Sequence, residues 1–519
     1  MAAAPNAVEP KSPWQQITQP FVDLVHAPRA LWGINLAYFL EGWVYFGMLG
    51  YLAMHFSSFI FRGLPNQDVH SHHMVMVLTA GITISMFFLG TIADRRGVRR
   101  TLLLAFCFLL AGRVVMSAAP ALFPATGLWS PLHLTTMGGI LLVVIGYGMY
   151  QPAAYAGIRK FTSPKTAAMG YAMLYALMNL GGWLPSWFSG IRRAIGITGS
   201  YWIYTALTLI ALLATYLILT RKVEQDAIVR AGQDRETEKA AAAGDDAAAP
   251  TQAILYDRDR RVPLHLWITV FLLLGSVYFL GSPVNLIVWG VIGVGLIILQ
   301  LVSSWRHGIY RWLANHPLGD AKFFYFIFAL IPVQTLFTYN WLVLPQYLER
   351  AFEGGFVSRN FEVFSNMNPI LIFIFVPIIT ALTFRKKVYN MMIIGTAIMA
   401  APAFLLGFST SLPALLGYLL VMTVGEAMWQ PRFLQYAAEI APEGRTGAYM
   451  GVAQFPWFLT KMLVPLYSGL MMQKYVPAEG PRNPETMWLF FACLASLSTL
   501  LLLAARGWIG RDFKSKAAS

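Results

Sequence analysis

Two carboxylates sit where an apolar chain has every reason to exclude them. Glu41 lies near the middle of the apolar window 30–54, and Glu426 near the middle of the window 412–440. An ionisable group at such a depth is costly, usually faces a bundle interior, and is a functional candidate by default. Desolvation disfavours the charged form of a carboxylate, so an acid in a closed cavity can bind and release a proton as its surroundings change. That is the chemistry of a proton-coupled carrier. The plainer alternative is a helix-locking ion pair with Lys461 or Arg432. Helical geometry places Tyr38, Glu41 and Tyr45 on one face, and Gln454, Trp457 and Lys461 on another at the same i, i+3, i+7 spacing. Two polar faces at matching depth predict a lined cavity.

Weaker candidates surround this pair. Gln430 shares the face of Glu426 one turn away. Pro431 marks a bend, and Arg432, six positions from Glu426, fits a gate together with Glu439 on its own face. Arg113 fits packing and pathway lining equally. The amides Asn179, Gln334, Asn340, Asn366 and Asn368 suit substrate contacts or interhelical hydrogen bonds alike. The run VHSHH, Val69 to His73, lacks partner acids at ligand spacing, so solvated interfacial histidines are the plainer reading and no metal site is assigned.

The elements that must hold these groups follow from composition. Of 519 residues 57% are hydrophobic and only 12% charged, about half the charge of a soluble domain. A bilayer core about 30 Å thick needs about 20 apolar residues as helix. Windows of that size fall near 30–54, 73–93, 101–118, 132–158, 166–190 and 199–220. Two more lie near 264–282 and 284–302, and a second six near 321–345, 361–384, 388–409, 412–440, 446–472 and 486–506. The fold class is therefore all-α and integral to the membrane, with about 14 spans. A cytoplasmic N-terminal segment (1–29) leads into a six-helix bundle (30–220), a cytoplasmic linker (221–262), an additional helix pair (263–303), a second six-helix bundle (304–506) and a cytoplasmic tail (507–519).

Placing both termini in the cytoplasm puts roughly four times as many Lys and Arg inside as outside, as retention of basic loops requires. The net charge of +14 sits in those loops, with no basic helix carrying interleaved aromatics, which argues against nucleic acid. Cys107 and Cys493 both lie in apolar runs and read as small core residues. The N-terminus lacks the short apolar core of a signal peptide, so the first span is expected both to target and to anchor. The linker segment RETEKAAAAGDDAAAPTQ is charged and Ala-rich without apolar periodicity, partly helical at most.

GYGMYQP (Gly146 to Pro152) in the fourth window echoes GEAMWQP (Gly425 to Pro431) in the fourth window of the second set. Two copies in the same orientation are the architecture of the major facilitator superfamily, whose substrate site lies between the halves near the midplane. GTIADRRGVRR, Gly90 to Arg100, resembles the cytoplasmic loop motif of that superfamily, G-x-x-x-D-R-x-G-R-R. The resemblance assigns Gly90, Asp94, Arg95, Gly97 and Arg99 to conformational gating, joined by Arg432 at the other bundle.

Further motifs resemble the proton-coupled oligopeptide transporter family along the whole chain. LYALMNLGGWL, with Tyr175 and Asn179, is similar to its fifth-helix F-Y-x-x-I-N-x-G stretch. SNMNPILIFIFVP, with Asn368, resembles its eighth-helix N-P pattern, and GEAMWQP its tenth-helix G-E-x-x-x-x-P. The additional helix pair matches that of its bacterial members. The resemblance implies that Glu426 and Asn368 occupy positions used for a peptide's amino terminus, and that Gln334 matches a seventh-helix glutamine. The chain departs from the family at its cations. YFLEGWVYFGM keeps Glu41 and Tyr45 but has Tyr38 for the first acid and Gly42 for the arginine of E-x-x-E-R-F-x-Y-Y, Gln151 replaces the fourth-helix lysine, and Ala453 an eleventh-helix tryptophan. Lys461 and Arg432 are the candidates to supply the missing positive charge.

The sequence thus predicts a secondary active transporter of the plasma (cell inner) membrane, a proton-coupled symporter of a small peptide-like or other organic solute. Glu41 and Glu426 are the coupling candidates. Tyr38, Tyr45, Gln151, Tyr175, Asn179, Gln334, Asn368, Gln430, Gln454, Trp457 and Lys461 are the substrate-binding candidates. The alternatives are a carrier for a sugar, nucleoside or drug-like cation, and a sensor that binds without transport. No enzyme is expected, since no clustered acids, histidines or nucleophile gather at one membrane face. No cofactor is called for, and the partners are substrate, protons and lipid.

Overall fold

In lipid each backbone N–H and C=O must be satisfied within its own segment, which makes helices the natural fold of these apolar stretches. The computed structural model describes residues 29–89, 92–162, 164–242, 261–276, 284–383, 386–439, 449 and 452–509, and among these every regular element is helical. The first bundle comprises α1 (Arg29–His55), α2 (Gln67–Leu89), α3 (Val98–Leu122), α4 (Pro131–Phe161), α5 (Pro164–Trp183) and α6 (Ser189–Ile218). The start of α4 shows the local logic. Ser130 accepts a hydrogen bond from the backbone N–H of His133, and Pro131 occupies the first turn, where a missing N–H costs nothing.

A polar helix, α7 (Arg221–Ala242), fills the first half of the linker; the Ala-rich remainder, 243–260, lies outside the described residues. The extra pair is α8 (Leu264–Ser276) and α9 (Val284–Leu301), followed by a short helix, α10 (Ser303–Ala314), that the apolar windows do not anticipate. The second bundle is more broken. Its first span is divided into α11 (Ala321–Ala329), α12 (Ile331–Leu342) and α13 (Leu344–Ala351), with Pro332 and Pro345 in the opening turns of the latter two, where proline cannot continue the preceding hydrogen-bond ladder. Then come α14 (Phe361–Ser365), α15 (Met367–Thr383), α16 (Val388–Ala400), α17 (Ala403–Phe408), α18 (Leu412–Glu439), α19 (Phe455–Tyr475) and α20 (Pro484–Ala504).

Eight stretches among the described residues are long and apolar enough to cross a membrane, against the 14 spans predicted. The prolines divide some windows. The described part of α8 is only 13 residues, shorter than a crossing requires. The chain is a multi-pass membrane protein all the same.

Within the first bundle α1 packs on α5 and α6, and α3 on α4 and α6; within the second α16 packs on α18 and α20. The bundles meet along α2 with α19 and α5 with α15. The repeated motif plays one role in both halves. A Cβ on Gly146 would lie 2.8 Å from Leu109 of α3, and one on Gly425 would collide with the Met399 backbone of α16, so each glycine lets the fourth helix of its bundle touch the third. Tyr150 and Trp429 follow at equivalent positions and are both buried. Gln151 and Gln430 come next, both partly buried. We call the end where α1 begins and α6 finishes the base, and the opposite end distal.

Candidate functional site

The Glu41 centre belongs entirely to the first bundle. Arg113 of α3 reaches α1 as a fork: Nη1 donates to Glu41 Oε2 at 2.8 Å and Nη2 donates to Oε1. The Tyr147 hydroxyl of α4 also donates to Oε1, and Arg113 Nη1 donates to Thr208 of α6 at 2.7 Å. Both charged groups are essentially fully buried. A bidentate guanidinium with its remaining donors satisfied is the arrangement that offsets the desolvation of such a pair. Glu41 therefore finds its cation in Arg113 and not in Lys461 or Arg432. The backbone explains the missing first-helix arginine: a Cβ on Gly42 would stand 2.8 Å from the Met178 carbonyl, because α1 and α5 touch here. No side chain fits at 42, and α3 supplies the guanidinium instead. Tyr45 packs edge-on against Tyr147, and with Arg113, Tyr147 and Met116 lines a cavity of ≈ 20 Å³, room for about one water molecule.

Glu426, in the second bundle, is surrounded differently. Its Oε2 accepts from Asn368 Nδ2 at 2.7 Å and its Oε1 from Gln430 Nε2 at 2.8 Å. Asn368 also donates to Thr423 at 3.1 Å, so the amide is fixed in place. No cation pairs with Glu426 among the described residues, although it is 1% exposed. Helix α18 runs unbroken through Pro431, which keeps Gln430 one turn from Glu426. Tyr175 of α5 is half exposed.

The other candidates group around these centres. Tyr38 is buried and stacks on Tyr150 at 5.5 Å between ring centroids. Asn179 donates to the Tyr175 carbonyl at 2.8 Å, inside its own helix. Trp457 stacks on Trp429. Gln454 is exposed, and Gln334 is fully buried with neither side-chain atom hydrogen-bonded. Asn340 is held by Tyr418, and Asn366 donates back to Glu362 O. Lys461 is partly buried, and among the described residues its ammonium has no ion-pair or hydrogen-bond partner; only its carbonyl is engaged, by Thr79 of α2 at 3.4 Å.

At the distal end the bundles are joined by two networks that sequence reasoning missed. Arg350 of α13 grips Asp68 at the start of α2, Nη1 to Oδ2 at 2.7 Å and Nη2 to Oδ1 at 2.8 Å. Gln346 donates to the same carboxylate at 2.8 Å and to Ser57 at 3.2 Å. His72 lies between Ser468 of α19, at 2.7 Å, and Gln346, at 3.2 Å. The interfacial reading of the histidine run is thus corrected for His72, which is fully buried. Helix α2 begins several residues before the apolar window and carries the histidine into the seam between bundles. In the second network Glu362 of α14 accepts from Tyr51 and Ser189, each at 3.0 Å, and from Arg192. Arg193 donates to the Arg359 carbonyl at 2.8 Å and to Asn360 at 2.9 Å. The signal was present in the sequence: acids and bases at matching ends of spans belonging to different halves.

At the base, Gly90 and the Asp94 side chain lie outside the described residues, and Arg95 is exposed. Gly97 precedes α3, whose first N–H groups, those of Val98 and Arg99, both donate to Glu224 of α7 at 2.9 and 3.1 Å. A carboxylate at a helix N-terminus is favoured by the unsatisfied N–H groups and the helix dipole together. The Arg99 guanidinium rests over Tyr216 at 5.1 Å. Arg432 is buried, with Nη2 donating to Thr383 of α15 at 3.3 Å.

Two helical bundles, each with a buried polar centre, joined at one end by ion-paired networks, are the arrangement found in membrane carriers built from two halves. The model of the Major Facilitator Superfamily matches residues 31–465, and the chain belongs to that family of transporters. By sequence no curated protein matches. Among solved structures the fold resembles the POT family transporter PepTSo at 15% identity, covering 93% of this chain and 99% of that one, with a TM-score of 0.65. It resembles a POT family transporter in complex with 5-aminolevulinic acid at 18% identity, 93% and 97% coverage and a TM-score of 0.59. A D-xylose-proton symporter matches at 15% identity, 91% and 96% coverage and a TM-score of 0.61.

Proposed function

We propose that the protein is a proton-coupled symporter of a small amphoteric organic solute, one that carries an amine and an acid group. The observation that carries this reading is the unequal state of the two buried acids. Glu41 already has a full guanidinium partner, so it is a structural charge, whereas Glu426 is held by amides alone. An acid of that kind is neutralised either by a proton or by the ammonium of a ligand, and competition between the two couples them. Lys461 offers the complementary charge for a carboxylate, phosphonate or similar acid, in place of the family's first- and fourth-helix cations. Both ends of the solute are then held by the second bundle, while Tyr38, Gln151 and Tyr175 bring an aromatic and amide wall from the first.

The relative crystallised with 5-aminolevulinic acid binds a molecule of this amphoteric kind, which supports the reading. The bias of Lys and Arg supports an orientation with the base in the cytoplasm of the cell and the distal end outside. The distal networks then correspond to a closed outer gate, and Gly97, Arg99 and Arg432 to the inner one. The test is uptake into proteoliposomes under an inward proton gradient, preceded by a thermal-shift screen of amino acids, dipeptides, sugars, nucleosides and amines to find the ligand. Glu426→Gln is expected to abolish acceleration by the gradient, and Lys461→Met to weaken amphoteric ligands while sparing those lacking an acid group. A screen answered only by sugars or nucleosides sinks the amphoteric claim, and gradient-driven uptake that survives Glu426→Gln sinks the coupling claim.

A further inference from the structure

Helix α10, Ser303–Ala314, is not explained by the transport cycle. Its sequence, SSWRHGIYRWLA, places Trp305, Ile309 and Trp312 at i, i+4 and i+7, one stripe of the helix. All three are exposed, at 61%, 47% and 56%. Arg306 flanks the stripe on one side, Arg311 lies beyond its other side, toward the polar face, and His307 lies opposite; all are exposed. A large aromatic stripe open to the surroundings needs an occupant.

The chain path identifies it. Helix α9 ends at Leu301 and the next span begins at Ala321, and a 12-residue helix is about 18 Å long, too short to recross a bilayer. The end of α9 and the start of α11 therefore lie on one membrane face, and α10 runs along that face. Its C-terminal end is pinned there: Ala314 packs with Val262 and Leu266, ahead of and within α8, and Leu313 and Phe324 lie against them. The stripe also continues a lipid-facing surface, since Leu301 of α9 is 79% exposed, and Leu264 and Phe271 of α8 are 74% and 68% exposed.

We propose that α10 is an interfacial anchor for the extra helix pair, with Trp305, Ile309 and Trp312 in the boundary between acyl chains and headgroups, and Arg306 and Arg311 bonded to phosphates of anionic lipid. Tryptophan and arginine in this pattern are the residues of in-plane helices, and basic groups beside a span are attracted to an anionic leaflet.

The test uses the full chain with Cys107→Ala and Cys493→Ala, since both native thiols are exposed and not in the core as the apolar runs around them suggest, reconstituted in vesicles of phosphatidylcholine alone or with a quarter phosphatidylglycerol. A nitroxide is attached at Ile309→Cys or His307→Cys, and its collision rates with oxygen and with a water-soluble nickel chelate are measured. The oxygen-to-nickel ratio is expected to be severalfold higher at 309 than at 307. Equal ratios at the two sites, whether both wet or both shielded, overturn the in-plane anchor. Adding phosphatidylglycerol is expected to raise the ratio at 309 further, and Arg306→Gln with Arg311→Gln to erase that increment. An increment absent from the native pair, or retained without the arginines, overturns the assignment to anionic lipid.

Discussion

The Glu41 and Arg113 pair makes a demanding prediction because its two halves are not equivalent to lose. Replacing Arg113 by methionine removes the fork to Glu41 and the bond to Thr208, leaving a buried carboxylate with Tyr147 as its remaining donor. Stripping one partner from a buried ion pair costs about 3–5 kcal/mol, whereas replacing the pair by groups of similar volume is often nearly neutral. With an unfolding entropy of roughly 2 cal/mol/K per residue, 519 residues convert about 1 kcal/mol into one degree. Arg113→Met should therefore lower the apparent unfolding midpoint by about 3–5 °C. Adding Glu41→Gln removes the stranded charge and keeps an oxygen for Tyr147, so the double variant should recover more than half of the loss. The assay is thermal unfolding of purified protein in one detergent, followed by gradient-driven uptake. A double variant as unstable as the single one refutes the ion-pair account. Loss of gradient dependence in a double variant that is stable and still binds ligand refutes the division of labour between the two acids.

Other parts of the structure make narrower predictions. Gly469 faces the Asp68 carbonyl, where a Cβ would come within 2.7 Å; Gly469→Ala should open the distal seam and speed thiol labelling of Ser57→Cys, and an unchanged rate would show that the seam yields without opening. Arg192→Met strands Glu362 among Tyr51 and Ser189, so it should accelerate labelling at the same end, with Glu362→Gln restoring the native rate. Glu224→Ala removes the cap of α3 and should destabilise by about 1 kcal/mol without changing ligand affinity, as thermal shift with and without ligand would reveal.

The helical repeat was legible because lipid enforces a simple rule on the sequence, and the glycine of GYGMYQP and GEAMWQP is required for the same contact in both halves. Gln430 was legible because it stands one helical turn from Glu426, and Asn368, on another helix, only through the family resemblance. The partner of Glu41 was not legible. Arg113 lies on another helix, and nothing in a one-dimensional pattern decides which of the three cations within the apolar windows is aimed at it. The distal networks escaped for the same reason, and also because bases outside the apolar windows were read only as topology markers. Arg192 and Arg350 serve as both, since a charge kept at a membrane face remains free to pair across the seam.

The pairing of Glu41 with Arg113 also bears on how coupling can work in this chain. A carrier that moves a proton with its solute needs an acid whose charge is settled by the solute or the proton, not by the protein. A side chain at position 42 has no room beside Met178, and the guanidinium that pairs with Glu41 comes from α3. On the proposed reading the exchangeable charge is confined to the second bundle, at Glu426, with Lys461 of α19 a cation that has no ion-pair partner among the described residues. Thr79 of α2 touches the Lys461 carbonyl where the two bundles meet, so a ligand that draws in the lysine acts directly on the α2 and α19 seam whose distal end is locked by Asp68, His72 and Gly469. If Lys461 is the anion site, its occupancy and release of the distal contacts are two ends of one helix contact. Lys461→Met should accordingly abolish ligand-induced changes in Ser57→Cys labelling even at saturating ligand, a result that weakened affinity alone does not produce.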